Sequence, residues 1–180
     1  MVSDETSPVL DALAVRVRNT AQLHGSFTLR SGAVSDTYFD KFLIESDPGL
    51  LRALVDLVVP LVPDDTDVIA GLELGGIPVV TVLSQITGLP AVFVRKQAKP
   101  YGTRKLVEGC QIAGRTLTVV EDVVTSGGQI ALSTADLRAA GAKVEVAVAL
   151  VDRRRGGENV LGEAGLQLRC ALTRAQIEAA

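Results

Sequence analysis

Short apolar segments alternate with helix-like segments from residue 67 onward, and this order limits the possible folds more than any other feature of the sequence. The apolar segments have the length and composition of buried strands; they are 67–70, 91–94, 117–120, 144–151 and 166–172. Helix-like segments at 77–87 and 129–140 end at Gly88 and Gly141, which suit helix C-termini. Strands that alternate with helices form a parallel sheet with right-handed crossovers. The sequence therefore predicts an α/β fold with a central, mainly parallel, twisted sheet flanked by helices.

The N-terminal part of the chain is less regular. Ser7-Pro8 predicts the start of a helix and Gly25 its C-terminal cap. The apolar face of this helix is predicted to be Val9, Leu13 and Val17. Segment 27–42 predicts short strands or a hairpin, and Asp47-Pro48 starts a second helix that runs to residue 59. We expect one domain over 1–180, with an N-terminal hood of about 1–45 and a core of about 46–180.

Composition excludes several classes of function. The net charge is −3 and there is no long basic stretch, which argues against nucleic acid as a main partner. Neither a signal pattern nor an apolar run of membrane-spanning length is present, so we expect a cytoplasmic protein with no membrane partner. Cys110 and Cys170 lack the spacing of a metal site, and we expect both to be reduced.

The strand 117–120 is predicted to lead into a turn from Glu121 to Gly128. Small residues there let backbone N–H groups point at an anion, and the following helix adds its dipole. Thr125 and Ser126 can donate hydroxyl hydrogen bonds to a phosphate. Glu121 and Asp122 suit ribose hydroxyls, or a cation held by a sugar and a diphosphate, so the turn indicates a sugar phosphate. The alternative is an ordinary turn with a Thr or Ser cap and surface acids.

Two more segments are predicted to follow strands at the same edge of the sheet, where ligands bind in such folds. Segment 95–109 is a polar, basic loop, and its cations could stabilise a departing diphosphate. The alternative is a solvated basic loop. Segment 71–76 is a Gly-rich turn in which the backbone could approach an anion closely, or an ordinary strand-to-helix turn.

The segment 119–128 resembles the phosphoribosyl-diphosphate motif of type I phosphoribosyltransferases: an apolar run, two acids, two apolar residues, then a Thr-containing Gly turn. The similarity extends from about Phe27 to Thr173. The blocks 27–32, 71–78, 95–102 and 152–153 resemble those of orotate phosphoribosyltransferases. The resemblance implies the type I phosphoribosyltransferase fold. It also implies transfer of a 5-phosphoribosyl group from 5-phosphoribosyl 1-diphosphate to orotate, which gives orotidine 5'-phosphate and diphosphate in pyrimidine synthesis. Mg²⁺ is implied as a cofactor carried by the substrate, with no protein metal site.

The resemblance also implies roles for individual residues. Lys99 and Asp122 are implied to be catalytic, and Leu74 and Gly75 to form the diphosphate loop. The implied donor-binding residues are Arg95, Lys96, Lys99, Tyr101, Glu121, Asp122, Val123, Val124, Thr125, Ser126, Gly127, Gly128 and Gln129. The implied orotate-binding residues are Arg30, Tyr38, Phe39, Thr125 and Arg153. A homodimer is implied, in which the loop carrying Arg95, Lys96 and Lys99 is shared across subunits.

Two positions depart from the family pattern. Many members have His where Tyr101 stands, and a neutral Tyr can only donate its hydroxyl hydrogen. Some relatives carry Lys where Gly75 stands, so contacts there should come from the backbone. Arg153 could form a bidentate pair with the orotate carboxylate; the alternative is a surface charge cluster with Arg154 and Arg155, which are expected to be solvated.

Other readings of the function remain open at this point. Tyr38 and Phe39 could be ordinary core aromatics. A purine phosphoribosyltransferase would share the 121–128 turn but need no Arg for its base. A catalytically silent, donor-sensing regulator of the same fold is a third possibility, although the Lys96/Lys99 pair is intact and no basic face is evident. A generic nucleotide-binding domain is disfavoured, because neither Gly-x-Gly-x-x-Gly nor Gly-Lys-Ser/Thr occurs.

Overall fold

The computed structural model describes residues 8–28, 32–97, 106–156 and 159–180. Its helices are α1 (Pro8–Ala21), α2 (Lys41–Ser46), α3 (Pro48–Val58), α4 (Gly76–Thr87), α5 (Gly128–Ala139), α6 (Val160–Glu163) and α7 (Arg174–Ala179). Its strands are β1 (Gln22–Thr28), β2 (Val34–Phe39), β3 (Val68–Leu72), β4 (Ala91–Val94), β5 (Val107–Glu108), β6 (Thr116–Val124), β7 (Lys143–Asp152) and β8 (Gln167–Thr173). A short 3-10 helix, Val59–Leu61, follows α3.

The central sheet has six strands in the order β5-β4-β3-β6-β7-β8. All neighbours are parallel except β5, which is antiparallel to β4 at one edge. The carboxyl ends of β3, β4, β6 and β7 therefore lie along one side of the molecule. The predicted α/β architecture with a mainly parallel sheet is confirmed.

Helices cover both faces of the sheet because successive strand residues point to opposite sides. On one face, Ile69 and Val120 pack with residues of α1, α3, α4 and α7. On the other face, Val68 and Val119 pack with residues of α5 and α6. Since Val17 of α1 belongs to the first of these cores, the N-terminal segment and the sheet share buried surface.

The N-terminal helix is shorter than the sequence predicts. It ends at Ala21, and the chain continues directly into β1, which pairs with β2 as an antiparallel hairpin. The hairpin prediction is confirmed, but the prediction that Gly25 caps the helix is wrong, because Gly25 lies within the strand at an irregularity between His24 and Phe27. The predicted apolar face is also partly wrong: Val9 is 60% exposed. The buried positions of the helix are Ala14, Val17 and Ala21.

Three boundaries in the core also differ from the predictions. β6 continues to Val124 instead of ending at residue 120, because pairing with β7 persists through Val123 and Val124. β3 likewise includes Gly71 and Leu72. The segment 95–109 contains the short strand β5. Helices α2 and α7 were not predicted, and each begins after a side-chain cap, Asp40 and Thr173 respectively.

Among the described segments, no helix combines the length and the apolar character that a membrane crossing requires.

Candidate active site

A cavity of about 420 Å³ opens at the carboxyl ends of the parallel strands. Ligands of parallel α/β sheets bind at this edge. Of the predicted site residues, those that line it are Leu74, Lys96, Glu121, Val123, Val124, Thr125, Ser126, Gly127 and Gln129. A larger open cavity of about 920 Å³ lies at the amino ends of β6, β7 and β8, and none of the predicted site residues in the described segments lines it. The cavity at the carboxyl ends is therefore the candidate active site.

The turn between β6 and α5 forms one side of the cavity. This turn consists of Thr125, Ser126 and Gly127, of which the first two are exposed. The Gly128 N–H donates to the Ser126 hydroxyl at 3.3 Å, which folds the turn tightly over the start of the helix. The first N–H groups of a helix have no partner within it, and the helix dipole is positive there. The turn can therefore hold an anion of phosphate size.

Gly127 is required by the geometry of this turn. Its φ is 82°, in the left-handed region that favours glycine. A Cβ at this position would also lie 2.8 Å from Cγ of Leu161, which is buried in α6. Both the backbone and the packing therefore restrict this position to glycine.

The two acids of the motif are adjacent near the end of β6 but differ in burial. Glu121 lines the cavity, whereas the Asp122 side chain is 1% exposed and does not. Asp122 instead contacts α2 and the loop that follows β3. Both acids are predicted to hold ribose hydroxyls, but of the two only Glu121 lines the cavity.

Asp122 forms an ion pair with Lys41, the first residue of α2. The Lys41 Nζ lies 2.7 Å from Oδ2 and 3.1 Å from Oδ1 of Asp122. Burial alone would raise the pKa of Asp122, but hydrogen bonds from Glu121, Glu45 and Lys41 lower the pKa to about 2. Burial alone would lower the pKa of Lys41, but the bond to Asp122 and its charge raise that pKa. The pair is therefore charged at neutral pH.

Glu121 and Glu45 flank the same carboxylate. Burial raises the pKa of each to about 9, and the hydrogen bond and negative charge of Asp122 add to this effect. The group therefore holds one carboxylate, Asp122, and two protonated carboxyls at neutral pH. Lys41 and Glu45 are not among the site residues predicted from the sequence. Their i, i+4 spacing directly after the hairpin was the available signal.

The loop after β3 packs directly on this group. The peptide bond between Glu73 and Leu74 is cis, and Leu74 is 59% exposed at the cavity. Gly75 lies so close to Asp122 that a Cβ at position 75 would overlap the carboxylate. The structure thus explains the glycine at this position: the space of a side chain is occupied by Asp122.

The aromatics of the hairpin lie on different faces of β2. The Arg153 guanidinium carbon is 4.1 Å from the centroid of the Phe39 ring, and the Arg153 N–H donates to the Val124 carbonyl at 2.8 Å. Tyr38 is 44% exposed, and its ring lies 5.5 Å from that of Phe27. Phe39 therefore supports Arg153 beside the end of β6, while Tyr38 lies against Phe27 and is partly exposed.

Arg154 differs from the prediction that it is solvated. It is half-buried and forms a bidentate ion pair with Asp152, with Nε 3.0 Å from Oδ1 and Nη2 2.8 Å from Oδ2. The ion pair with Asp152 keeps the Arg154 side chain partly out of solvent. Arg155 is exposed, and both arginines border a small cavity of about 240 Å³ with Thr125 and Ser126.

Lys96 and Arg95 begin the basic loop beside the cavity. The Lys96 N–H donates to Glu73 Oε2 at 3.4 Å, which ties the start of this loop to the loop after β3. Arg95 borders a neighbouring cavity of about 240 Å³ with Glu73 and Leu74. The predicted site residues Arg30, Lys99 and Tyr101 lie outside the described residues.

Comparisons with known proteins agree with the motif and the fold. The chain is 51% identical over 172 residues to an orotate phosphoribosyltransferase from Nocardioides sp., with 95% of this chain and 96% of the relative covered. It is similar in structure to Mycobacterium tuberculosis orotate phosphoribosyltransferase in complex with inorganic phosphate, with a TM-score of 0.83, 30% identity, and 96% of this chain and 99% of that chain covered.

A structure of the same enzyme in complex with 5-phospho-alpha-D-ribosyl 1-diphosphate has a TM-score of 0.80 and 28% identity, with 95% of this chain and 99% of that chain covered. No family model matches the chain. Because the identity to the Nocardioides relative extends over nearly the whole of both chains, the chain belongs to the orotate phosphoribosyltransferase family.

Proposed function

We propose that the chain is a pentosyltransferase that joins orotate to the phosphoribosyl group of 5-phosphoribosyl 1-diphosphate, in the pathway to UMP. A ring nitrogen of orotate loses its proton and forms a bond to C1 of the ribose. The bond from C1 to the diphosphate breaks with its electron pair on the diphosphate, whose oxygens can accept the proton. The observation that carries this function is the 125–127 anion cradle beside Glu121 at the carboxyl end of β6, in a member of this family.

The site residues are proposed to divide the substrates between them. The 125–127 turn and the start of α5, including Gln129, hold the 5'-phosphate, while Glu121 and Asp122 serve the ribose. Lys96, Lys99 and Tyr101 hold the diphosphate beside Leu74 and Gly75. Arg153, supported by Phe39, pairs with the orotate carboxylate, and Arg30 and Tyr38 complete the base pocket.

Magnesium is proposed to enter with the donor as the counter-ion of its diphosphate. Within the described residues, no group of three or more His, Cys, Asp or Glu side chains could hold a metal ion. The pairing of Asp122 with Lys41 supports this proposal, because that carboxylate already has a cationic partner. When bound, the cation neutralises charge that develops on the leaving diphosphate.

The assembly and the cellular location are also proposals. We propose a single-domain subunit that forms a homodimer in the cytoplasm, with the basic loop that begins at Arg95 shared across subunits. Mixing Lys99→Ala and Asp122→Ala subunits tests the sharing. Activity is expected to recover in the mixed dimers. If it does not recover, the loop is not shared across subunits.

The test of the function is a spectroscopic assay of orotate consumption with donor and magnesium present. Orotate is expected to be consumed in step with diphosphate release. Parallel assays with adenine, guanine and xanthine address the purine alternative. Turnover of a purine without orotate turnover would replace the proposal, and donor binding without turnover of any base would favour a silent regulator.

A further inference from the structure

Lys41 contributes a cation to the cavity from outside the recognised motif. Among the described residues that line the cavity, the cations are Lys41 and Lys96. The Lys41 side chain is 34% exposed, so it is partly accessible from the cavity although its partner Asp122 is buried. It comes from α2, an element that precedes the core, and lines the same cavity as Glu73 and Leu74 of the loop after β3.

The ion pair leaves Lys41 able to bind a further group. In the described part of the chain, its ammonium donates a hydrogen bond to Oδ1 of Asp122 at 3.1 Å and lies 2.7 Å from Oδ2 in the same ion pair. An ammonium group has three donors, and two carboxylate oxygens engage at most two of them. At least one N–H therefore remains for an anionic oxygen in the cavity.

The position of Asp122 places this ammonium next to the loop after β3. The carboxylate that Lys41 contacts is the one that a Cβ on Gly75 would overlap. Residues 73–75 carry no cation, and a side chain cannot be added at Gly75 without displacing Asp122. A positive charge at this corner of the cavity is therefore supplied by α2 rather than by the loop.

We propose that Lys41 is a donor-binding residue whose ammonium, anchored on Asp122, contacts the diphosphate group at the corner formed by α2 and residues 73–75. This inference rests on the proposed function, because it assigns a further ligand to the same donor. Asp122 then has a second role, as the buried counter-ion that holds Lys41 in position.

The test uses calorimetry to measure the binding of magnesium diphosphate and of ribose 5-phosphate, which correspond to two parts of the donor. Lys41→Met is expected to weaken diphosphate at least tenfold and ribose 5-phosphate less than threefold, while Lys41→Arg keeps most of the diphosphate affinity. Lys143→Met is the matched control, because Lys143 is an exposed residue at the amino end of β7. This control should bind both ligands as the wild type does.

Two results would overturn the proposal: diphosphate binding within twofold of wild type in Lys41→Met, or equal weakening of both ligands. The second result would mean that Lys41 acts only by supporting Asp122. If Lys41→Met does not fold, Asp122→Asn is compared with Asp122→Asn/Lys41→Met, in which no buried charge is left unpaired. A tenfold difference in diphosphate affinity between these two supports the proposal, and a difference under twofold removes it.

Failure of the proposed function is a separate result. A wild-type chain that consumes no orotate contradicts the function. A wild-type chain that consumes orotate, with Lys41→Met binding diphosphate normally, contradicts only the role of Lys41.

Discussion

The guanidinium of Arg153 lies over the ring of Phe39, with 4.1 Å between its central carbon and the ring centroid. This contact joins the N-terminal hairpin to the end of β7, at the edge of the sheet where the candidate site lies. Burial lowers the pKa of Arg153 and the nearby Arg174 adds to this effect, yet the guanidinium remains charged at neutral pH. The hairpin therefore fixes the direction of the cation that is proposed to select orotate.

Replacing Phe39 with Leu is expected to raise the KM for orotate about fivefold, which corresponds to the loss of about 1 kcal/mol of cation–π interaction. Steady-state kinetics with each substrate varied in turn measures this effect. The KM for the donor is the internal control and should change less than twofold. Equal changes in both KM values would mean that Phe39 supports the whole site rather than Arg153.

Replacing Gly127 with Ala is expected to weaken ribose 5-phosphate binding at least tenfold. Forcing an L-residue into the left-handed region costs about 1–2 kcal/mol, and the new methyl would lie 2.8 Å from Leu161 Cγ. The control is Gly114→Ala, because Gly114 has a similar φ of 80° and nothing within 4 Å of its added Cβ. Urea titration should show a lower unfolding free energy for both variants. Calorimetry should show weaker ribose 5-phosphate binding for Gly127→Ala only.

Replacing Gly75 with Ala tests the close approach to Asp122. The backbone at Gly75 has φ −69°, which any residue adopts, so the effect comes from overlap with the carboxylate alone. Overpacking of this kind costs about 1–3 kcal/mol, and a rise of at least fivefold in the donor KM is expected as Asp122 moves.

The control for Gly75 is Gly49→Ala in α3, where the nearest atom to the added Cβ is 3.4 Å away. Its stability and KM values should stay close to wild type. Normal kinetics in Gly75→Ala would show that Asp122 can move without loss of function.

Glu121 is expected to make the unfolding free energy depend on pH. Its pKa is about 9 in the folded protein, against an ordinary value of 4.5, because of burial and Asp122. Between these two values the unfolded state binds fewer protons than the folded state at this group, so its contribution to stability falls as pH rises. Urea unfolding at pH 5, 7 and 9 should therefore show Glu121→Gln gaining stability relative to wild type with rising pH. A constant difference between the two proteins would contradict the shifted pKa.

The sequence alone determined the layered fold and the position of the turn that is proposed to hold the phosphate. Periodicity and glycine positions placed α4 and β4 closely, because the segments between Gly71 and Val94 follow local rules of strand, turn and helix. The order of apolar run, acids and Gly turn at 119–128 was equally local. Since the carboxyl ends of parallel strands meet at one edge, the sequence could also predict that the loop starting at Arg95 and the 121–128 turn lie at that edge, where Lys96 and Thr125 line one cavity.

The tertiary structure decided what depends on contacts between distant segments. Whether Glu121 to Val124 form a turn or a strand depends on pairing with β7, which lies more than twenty residues away in sequence. The pairing of Lys41 with Asp122 spans 81 positions, and the need for glycine at position 75 follows from the same buried carboxylate. Local patterns carry no information on such neighbours. Burial around Asp122, which only the folded chain creates, shifts the pKa values of Asp122 and Glu121.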